Sequence, residues 1–370
     1  LMDPRGQARS LPLFWDGGSA WKLRFAPDQT GNWIWSITSN DAGLNGQSGS
    51  VPALSSSSRG GIRRSDAAPY HFQYQDGAPF WWFGDTEWSL FTDDATEGHN
   101  RTSAFHYIDV RASQGFNVVH GLLLNNIGWS NSGGSAFADF ASEVINPAYW
   151  SEVDYRLAYL NSKGITAGLF LAWANGAPSW ESFVTEQARL RFVRYVAARY
   201  GAYNVYFVLA GEWDETGGSS MYDVIGNELL GYNANDRMIG IHSTGSVESW
   251  NSSSWMSFGD YMQTYVSLHS SILSARDHGR PVINSEYAYY RRPGKENSDT
   301  LEQIRNATWE IAMAGGYLIT GWGATYFGGY RMDGPFNPDD PLDDDWEEDA
   351  QHVRNLFTGL PWTILEPNDQ

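Results

Sequence analysis

Residues 204–215 read NVYFVLAGEWDE, a β-branched and aromatic run that passes straight into Glu212, Trp213, Asp214 and Glu215. A buried strand ordinarily leaves the core through Gly, Asn, Ser or Pro, because isolated charges are costly to bury. Three carboxylates at one strand end therefore need a chemical reason, and that reason depends on the sheet the strand belongs to.

Seven more short apolar runs share its character: PFWWFGD (79–85), NVVHGLLL (117–124), TAGLFLAW (166–173), MIGIHS (238–243), DYMQTY (260–265), PVINSE (281–286) and GYLITGW (316–322). Helical stretches alternate with them at 101–115, 146–164, 181–201, 219–231, 265–279, 298–316 and 344–360; several begin at Asn, Asp or Ser and end at Gly, as capped helices do. Eight strands with intervening helices predict a (β/α)₈ TIM barrel over 69–370. The link between strands five and six, TGSVESWNSSSWMS (244–257), is short and polar, so one helix is expected to be missing or reduced to a turn. An open doubly wound sheet is the competing architecture, but no G-x-G-x-x-G follows the first strand.

Residues 1–68 have a different texture. LPLFWDGGSAWKLRFAPDQTGNWIWSITSN alternates apolar and polar residues between Gly-Gly and Pro-Asp turns, and a Ser/Gly-rich linker follows. The expectation is a small antiparallel β-sandwich domain, short for a complete one and so truncated or completed by chain outside this sequence.

The 370 residues are 42% hydrophobic, enough for a large core, and no apolar run approaches the roughly 20 residues of a membrane-spanning helix. Zero cysteines exclude disulfides, thiolate metal sites and a cysteine nucleophile. A net charge of −19 disfavours nucleic acid and anionic membranes as partners. Only Lys22, Lys163 and Lys295 are lysines; an acidic, lysine-poor surface suits a secreted or surface protein, although no signal peptide stands at position 1. The 18 Trp, 20 Tyr and 18 Phe suit stacking on sugar rings as well as core packing.

Active sites of these barrels sit at the C-terminal ends of the strands, which places Glu212 at the end of strand four and Glu286, in RPVINSEYAYY, at the end of strand seven. Two carboxylates flanking a glycosidic bond are what sugar hydrolysis requires: one protonates the departing oxygen, the other acts as nucleophile or base at the anomeric carbon. Asp214 and Glu215 are alternatives to Glu212. Further strand-end candidates for carbohydrate binding are Asp85, Trp88, Asn125, Asn126, Trp173, Asn175, His242, Tyr265 and Trp322; His242 could instead tune the acid. No cofactor is called for. The acidic run 337–349 lacks EF-hand spacing and reads as a solvated loop capping the last helix, so no metal is expected. Serine and zinc hydrolase motifs, G-x-S-x-G and H-E-x-x-H, are absent from the sequence.

Glutamates ending strands four and seven resemble the acid/base and nucleophile of clan A glycoside hydrolases. GDTEWSLF followed by HYIDVRASQGFNVVHGLLL is similar to the apiosidase-like barrel families, and FWDGGSAWKLRFAPDQTGNWIWSITS resembles the small immunoglobulin-like domain that precedes such barrels. The resemblance implies a retaining glycosidase, with Glu212 as acid/base and Glu286 as nucleophile about 5–5.5 Å apart. Two positions depart from it. Gly211 stands where clan A enzymes usually carry an Asn that bonds the sugar 2-hydroxyl, and Glu212 stands where apiosidase-like members often present Asp, which argues against apiose-specific activity. The alternatives are a non-catalytic carbohydrate-binding protein, disfavoured by the presence of both glutamates, and a polysaccharide lyase, disfavoured by the acidic balance.

Overall fold

The computed structural model describes residues 1–95, 98–124, 130–140, 143–175, 179–216, 218–245, 248–261, 267–290, 299–322 and 345–368. Its centre is a ring of parallel strands: β1 (Phe83–Thr86), β2 (Val118–Leu122), β3 (Thr166–Trp173), β4 (Val205–Gly211), β5 (Ile239–Gly240 and His242–Ser243), β6 (Gly259–Tyr261), β7 (Val282–Asn284) and β8 (Tyr317–Trp322). Each pairs with its neighbour in sequence, and β8 pairs back onto β1 with Ile319 opposite Gly84, so the sheet closes. Strand β5 is two segments because it changes partner at Ile241. Its first half pairs with β4 through Phe207 and Ile239, and its second with β6 through His242 and Asp260. The predicted TIM barrel is thus the fold, with strand positions close to those read from the apolar runs.

The helices are α1 (Arg101–Ser113), α2 (Pro147–Ser162), α3 (Glu186–Tyr200), α4 (Ser219–Tyr232), α5 (Leu268–Arg276), α6 (Leu301–Met313) and α7 (Asp345–Thr358). Their starts follow the capping chemistry of the sequence: Asn100, Asn146, Thr185 and Thr300 each accept a backbone N–H of the first turn, and Pro147 opens α2. Helix α3 starts five residues later than its apolar pattern suggests, because Trp180–Ser182 forms a separate 3₁₀ turn capped by Ser179. Between β5 and β6 the described helical segment is the 3₁₀ turn Glu248–Trp250. Trp250 and Trp255 fill that gap in the helical layer. Trp250 meets Trp213 edge-on at 4.8 Å and Trp255 at 5.4 Å, so bulky rings supply apolar cover where a helix would otherwise lie.

The run 79–85 is two elements and not one strand. Pro79–Phe80 ends an antiparallel sheet with Ile62–Arg64 and Phe72–Tyr74, and β1 begins only at Phe83. This sheet crosses residue 68 and plugs the N-terminal end of the barrel, where Phe72 and Trp82 pack at 4.7 Å and Trp82 meets Tyr206 at 4.8 Å. The remaining N-terminal strands form two-stranded ribbons, Phe14–Trp15 with Trp21–Lys22 and Gly31–Ser36 with Ser48–Ala53. They dock on α2 and α3: Phe14 is buried against Tyr195, and Arg199, wholly buried, joins Asp16 at 2.8 Å to Asp154 at 2.6 Å. Arg24 closes the network by a two-pronged bond to Asp154.

Candidate active site

Every residue of β4 from Val205 to Gly211 is buried, and the chain leaves the barrel at Glu212 with φ 49° and ψ 46°. A left-handed backbone costs a side chain with a Cβ about 1–2 kcal/mol, and such strain concentrates where a side chain must be aimed. The three residues beyond Glu212 are bound elsewhere. Trp213 Nε1 donates to Ser243 Oγ at 2.6 Å, and Asp214 accepts the Thr244 N–H and hydroxyl, both at 2.9 Å, so these two staple the turn to the end of β5. Glu215 lies at the exposed rim, bonded by Asn175 Nδ2 at 2.5 Å. Glu212 instead feels the negative charge of Glu286.

Glu212 Oε2 accepts the indole N–H of half-buried Trp173 at 3.1 Å. Its acidity is weakened first by burial and then by the negative charge of Glu286, and both hold its pKa above the ordinary glutamate value. Gly211 has a steric reason. A Cβ at this position would lie 2.3 Å from the Trp173 ring, so the indole that bonds Glu212 occupies the space an Asn side chain would need. Gly211→Asn is expected to push Trp173 off Glu212 and to destabilise the fold by about 1–3 kcal/mol, measured by urea unfolding together with quenching of Trp fluorescence.

Glu286 follows β7 and is 3% exposed. His242 Nε2 lies 3.2 Å from its Oε2 at an angle that makes the contact a charge pairing more than an aligned hydrogen bond. On the other side of the ring, Nδ1 faces Asp260 Oδ1 at 3.1 Å and Ser285 Oγ at 2.9 Å. Burial alone would discharge this imidazole; Asp260 foremost, and then Glu286, outweigh burial and His242 is pushed up to about 10. The wall beside the glutamates is aromatic. Trp88 meets Trp173 edge-on at 5.2 Å and donates to Tyr289 Oη at 3.3 Å, and Thr86 reaches the same phenol at 3.4 Å.

The structure thus brings Glu212, Glu286, Trp88 and Trp173 together at the C-terminal mouth and leaves Asn175 on its rim. His242 is corrected from a sugar-facing residue to one sealed from solvent behind Glu286. Asp85 is corrected as well. Alternation along β1 turns Phe83 and Asp85 toward the helices, where Asp85 accepts from Tyr107 Oη at 2.8 Å, Arg111 Nε at 2.5 Å and the Thr86 N–H at 2.8 Å. Arg111 also holds Glu347 at 2.6 Å, and all three charges are sealed from water, so part of the acidic run 337–349 is internal and not a solvated cap. Arg111→Met withdraws the cation from two buried carboxylates and is expected to cost about 3–5 kcal/mol in denaturant unfolding. Asn125, Asn126, Tyr265 and residues 337–344 lie outside the described residues; Trp322 ends β8, and its side chain is outside them too. Among the described residues no group of three or more His, Asp or Glu side chains could hold a metal ion.

Asp260, Ser285, Tyr289 and Thr86 are site residues that sequence reading missed. Asp260 did carry a signal, since an acid directly after Phe258 and Gly259 at the head of an apolar strand must find a buried cation.

Comparison with known proteins agrees with the barrel fold. The family described as "Apiosidase-like, catalytic domain" matches residues 67–363, and a domain of unknown function designated DUF5060 matches residues 1–40. No curated protein matches significantly. Among solved structures, a Bacteroides vulgatus protein provisionally classed as a glycoside hydrolase shares 18% identity over 95% of this chain and 72% of its own, with TM-score 0.79. A glycoside hydrolase family 5 protein of the same organism shares 19% over 84% of this chain and 75% of its own, TM-score 0.70. The family 5 mannosidase of Rhizomucor miehei shares 13% over 82% of this chain and 100% of its own, TM-score 0.60. The barrel is therefore one that glycoside hydrolases use, and the chain belongs to the apiosidase-like catalytic-domain family.

Proposed function

We propose that this protein is a retaining glycoside hydrolase acting on a poly- or oligosaccharide, with Glu212 as general acid/base and Glu286 as nucleophile. The observation that carries the reading is the unequal environment of two neighbouring glutamates. Glu212 is half-buried beside an indole and its pKa is raised by burial and then by the Glu286 charge, whereas Glu286 lies against the cationic side of His242. Environments that push two carboxyls apart in proton affinity assign acid and base. Glu212 in its acid form donates to the leaving oxygen while Glu286 attacks the anomeric carbon; Glu212 as carboxylate then takes a proton from the water that releases the sugar. Half-buried Trp173 offers aromatic surface beside Glu212 of the kind a pyranose or furanose stacks on, and buried Trp88 backs it edge-on.

Family membership and the glycoside hydrolase barrel support the class, and the acidic, lysine-poor composition supports a secreted or surface location. No described helix is long and apolar enough to cross a membrane. Both glutamates lie in 69–370, so residues 1–68 are assigned a supporting role at α2 and α3 rather than a catalytic one. The test is incubation of the protein with a panel of defined glycans, read by mass spectrometry for new reducing ends. Products that depend on Glu212 and Glu286 support the reading. Binding without turnover makes the protein a carbohydrate-binding module, and unsaturated products that absorb in the ultraviolet make it a lyase.

A pH dependence follows from the raised Glu212. A general acid works below its own pKa, so the alkaline limb of kcat/KM should lie above the ordinary glutamate range and activity should fall as pH rises through it. Glu286→Gln removes the neighbouring charge and should bring the Glu212 carboxyl back toward ordinary acidity, observed by ¹³C NMR of labelled glutamate.

A further inference from the structure

His242 touches an acidic group on each side and is closed to water. A neutral imidazole has one N–H. Whichever nitrogen carries it, the other would lie without a proton beside a carboxylate oxygen, Asp260 Oδ1 at 3.1 Å or Glu286 Oε2 at 3.2 Å. The imidazolium alone sets a positive ring between the two. Ser285 completes the arrangement. Its hydroxyl donates to Asp260 Oδ1 at 2.5 Å, which leaves the oxygen, 2.9 Å from His242 Nδ1, as an acceptor. Ser285 directly precedes Glu286, so the same hydroxyl ties the end of β7 to β6. The register is built in, with His242 opposite Asp260 across β5 and β6 and Asp260 opposite Ile283 across β6 and β7.

Among the described residues the other neighbours of the ring supply no competing cation. Phe170 and Trp173 of β3 face it at 5.9 and 6.3 Å between ring centres. His120 of β2 is kept neutral by burial and then by the His242 charge. Tyr206 of β4 is kept un-ionised by burial and then by the charge of Asp260. Glu212 feels His242 through space more weakly than it feels Glu286.

We infer that Asp260 and Ser285 are positioning residues that act through His242. Together they hold it as a doubly protonated cation against Glu286, which sets a positive charge beside that carboxylate and aims it. The inference rests on the reading of Glu286 as nucleophile, and it explains how two nearby glutamates take different roles: the cation is paired with one of them and not the other. Asp260 acts on neither sugar nor reacting atom.

The test begins with the unaltered protein. Long-range ¹H–¹⁵N correlation on ¹⁵N-histidine-labelled full-length chain, from about pH 5 to about pH 9, should show one histidine protonated on both ring nitrogens throughout. The buried His71, His99 and His120 are pushed the other way by burial and should be neutral over most or all of this window. Asp260→Asn should let the charged histidine lose its proton inside the window, and Ser285→Ala should do so to a smaller degree. His242→Gln removes the charge from beside Glu286, and should lower kcat by about 10-fold or more with KM changed less. Because the first measurement needs no variant, a substitution that fails to fold does not shield the proposal. A wild-type protein in which no histidine stays doubly protonated overturns it, as does a folded Asp260→Asn protein with an unchanged histidine spectrum. An unchanged kcat in His242→Gln overturns the link to Glu286. A persistent imidazolium in a protein that cleaves no glycan supports the positioning of His242 and overturns the glycosidase reading instead.

Discussion

Glu286→Ala should reduce turnover of every substrate to background, a loss of about 10⁴-fold or more, because removing the nucleophile of a two-step displacement removes the first bond formed. The substitution leaves His242 and Asp260 in place, so far-ultraviolet circular dichroism should match the parent. Added azide should restore part of the rate on an activated aryl glycoside by entering the space the carboxylate left, and the glycosyl azide should have inverted configuration. Azide attacks from the face Glu286 occupied and is not displaced a second time. A rescued product of retained configuration would instead mean that residue 286 is the acid/base.

Glu212→Gln should show the complementary pattern. General acid assistance is worth about 10²–10⁴-fold, so kcat/KM on glycosides with poor leaving groups should fall by that factor. Aryl glycosides with acidic leaving groups need little protonation, and their first step should be nearly untouched. Their second step then becomes slow, because no base activates water, and a covalent intermediate should accumulate as an initial burst. The substituted amide keeps an oxygen that can accept the Trp173 indole N–H, so the loss belongs to proton transfer and not to displacement of Trp173. Equal rates on both substrate classes, near the parent's, would remove Glu212 from the role.

Much of the barrel was legible because its strands are buried on both faces. Runs such as VYFVLAG and TAGLFLAW have little polar character to confuse the reading, and Asn, Thr and Pro mark the helix starts. The misreadings have local causes. PFWWFGD is continuous in hydrophobicity, but Trp81 and Trp82 are the corner between an antiparallel floor and β1, and apolar content alone does not show a corner. The two glutamates were legible because position at a strand end is enough to propose them. Asp85 was misjudged because strand-end position does not say which way a side chain turns. Alternation along β1 sends Asp85 outward to Arg111 and Thr86 inward to Tyr289. The Asp260, His242 and Ser285 cluster was illegible for another reason. Its members come from three strands, and their contacts depend on the register of β5, β6 and β7, which follows from barrel closure and from no local pattern. Gly211 illustrates the same limit, since its reason is the ring of Trp173, 38 residues earlier in the sequence.

The central claim is that Glu286 forms a covalent bond to the sugar, and trapping that bond tests it most directly. A 2-deoxy-2-fluoro glycoside with an activated leaving group, chosen from whichever sugar the glycan panel identifies, should inactivate the protein with time. Peptide mapping by mass spectrometry should then place one fluorosugar on the peptide containing Glu286, and proton NMR of the first product from the normal substrate should show retained anomeric configuration. Inverted product, or a label on Glu212, Asp214 or Glu215, would contradict the account.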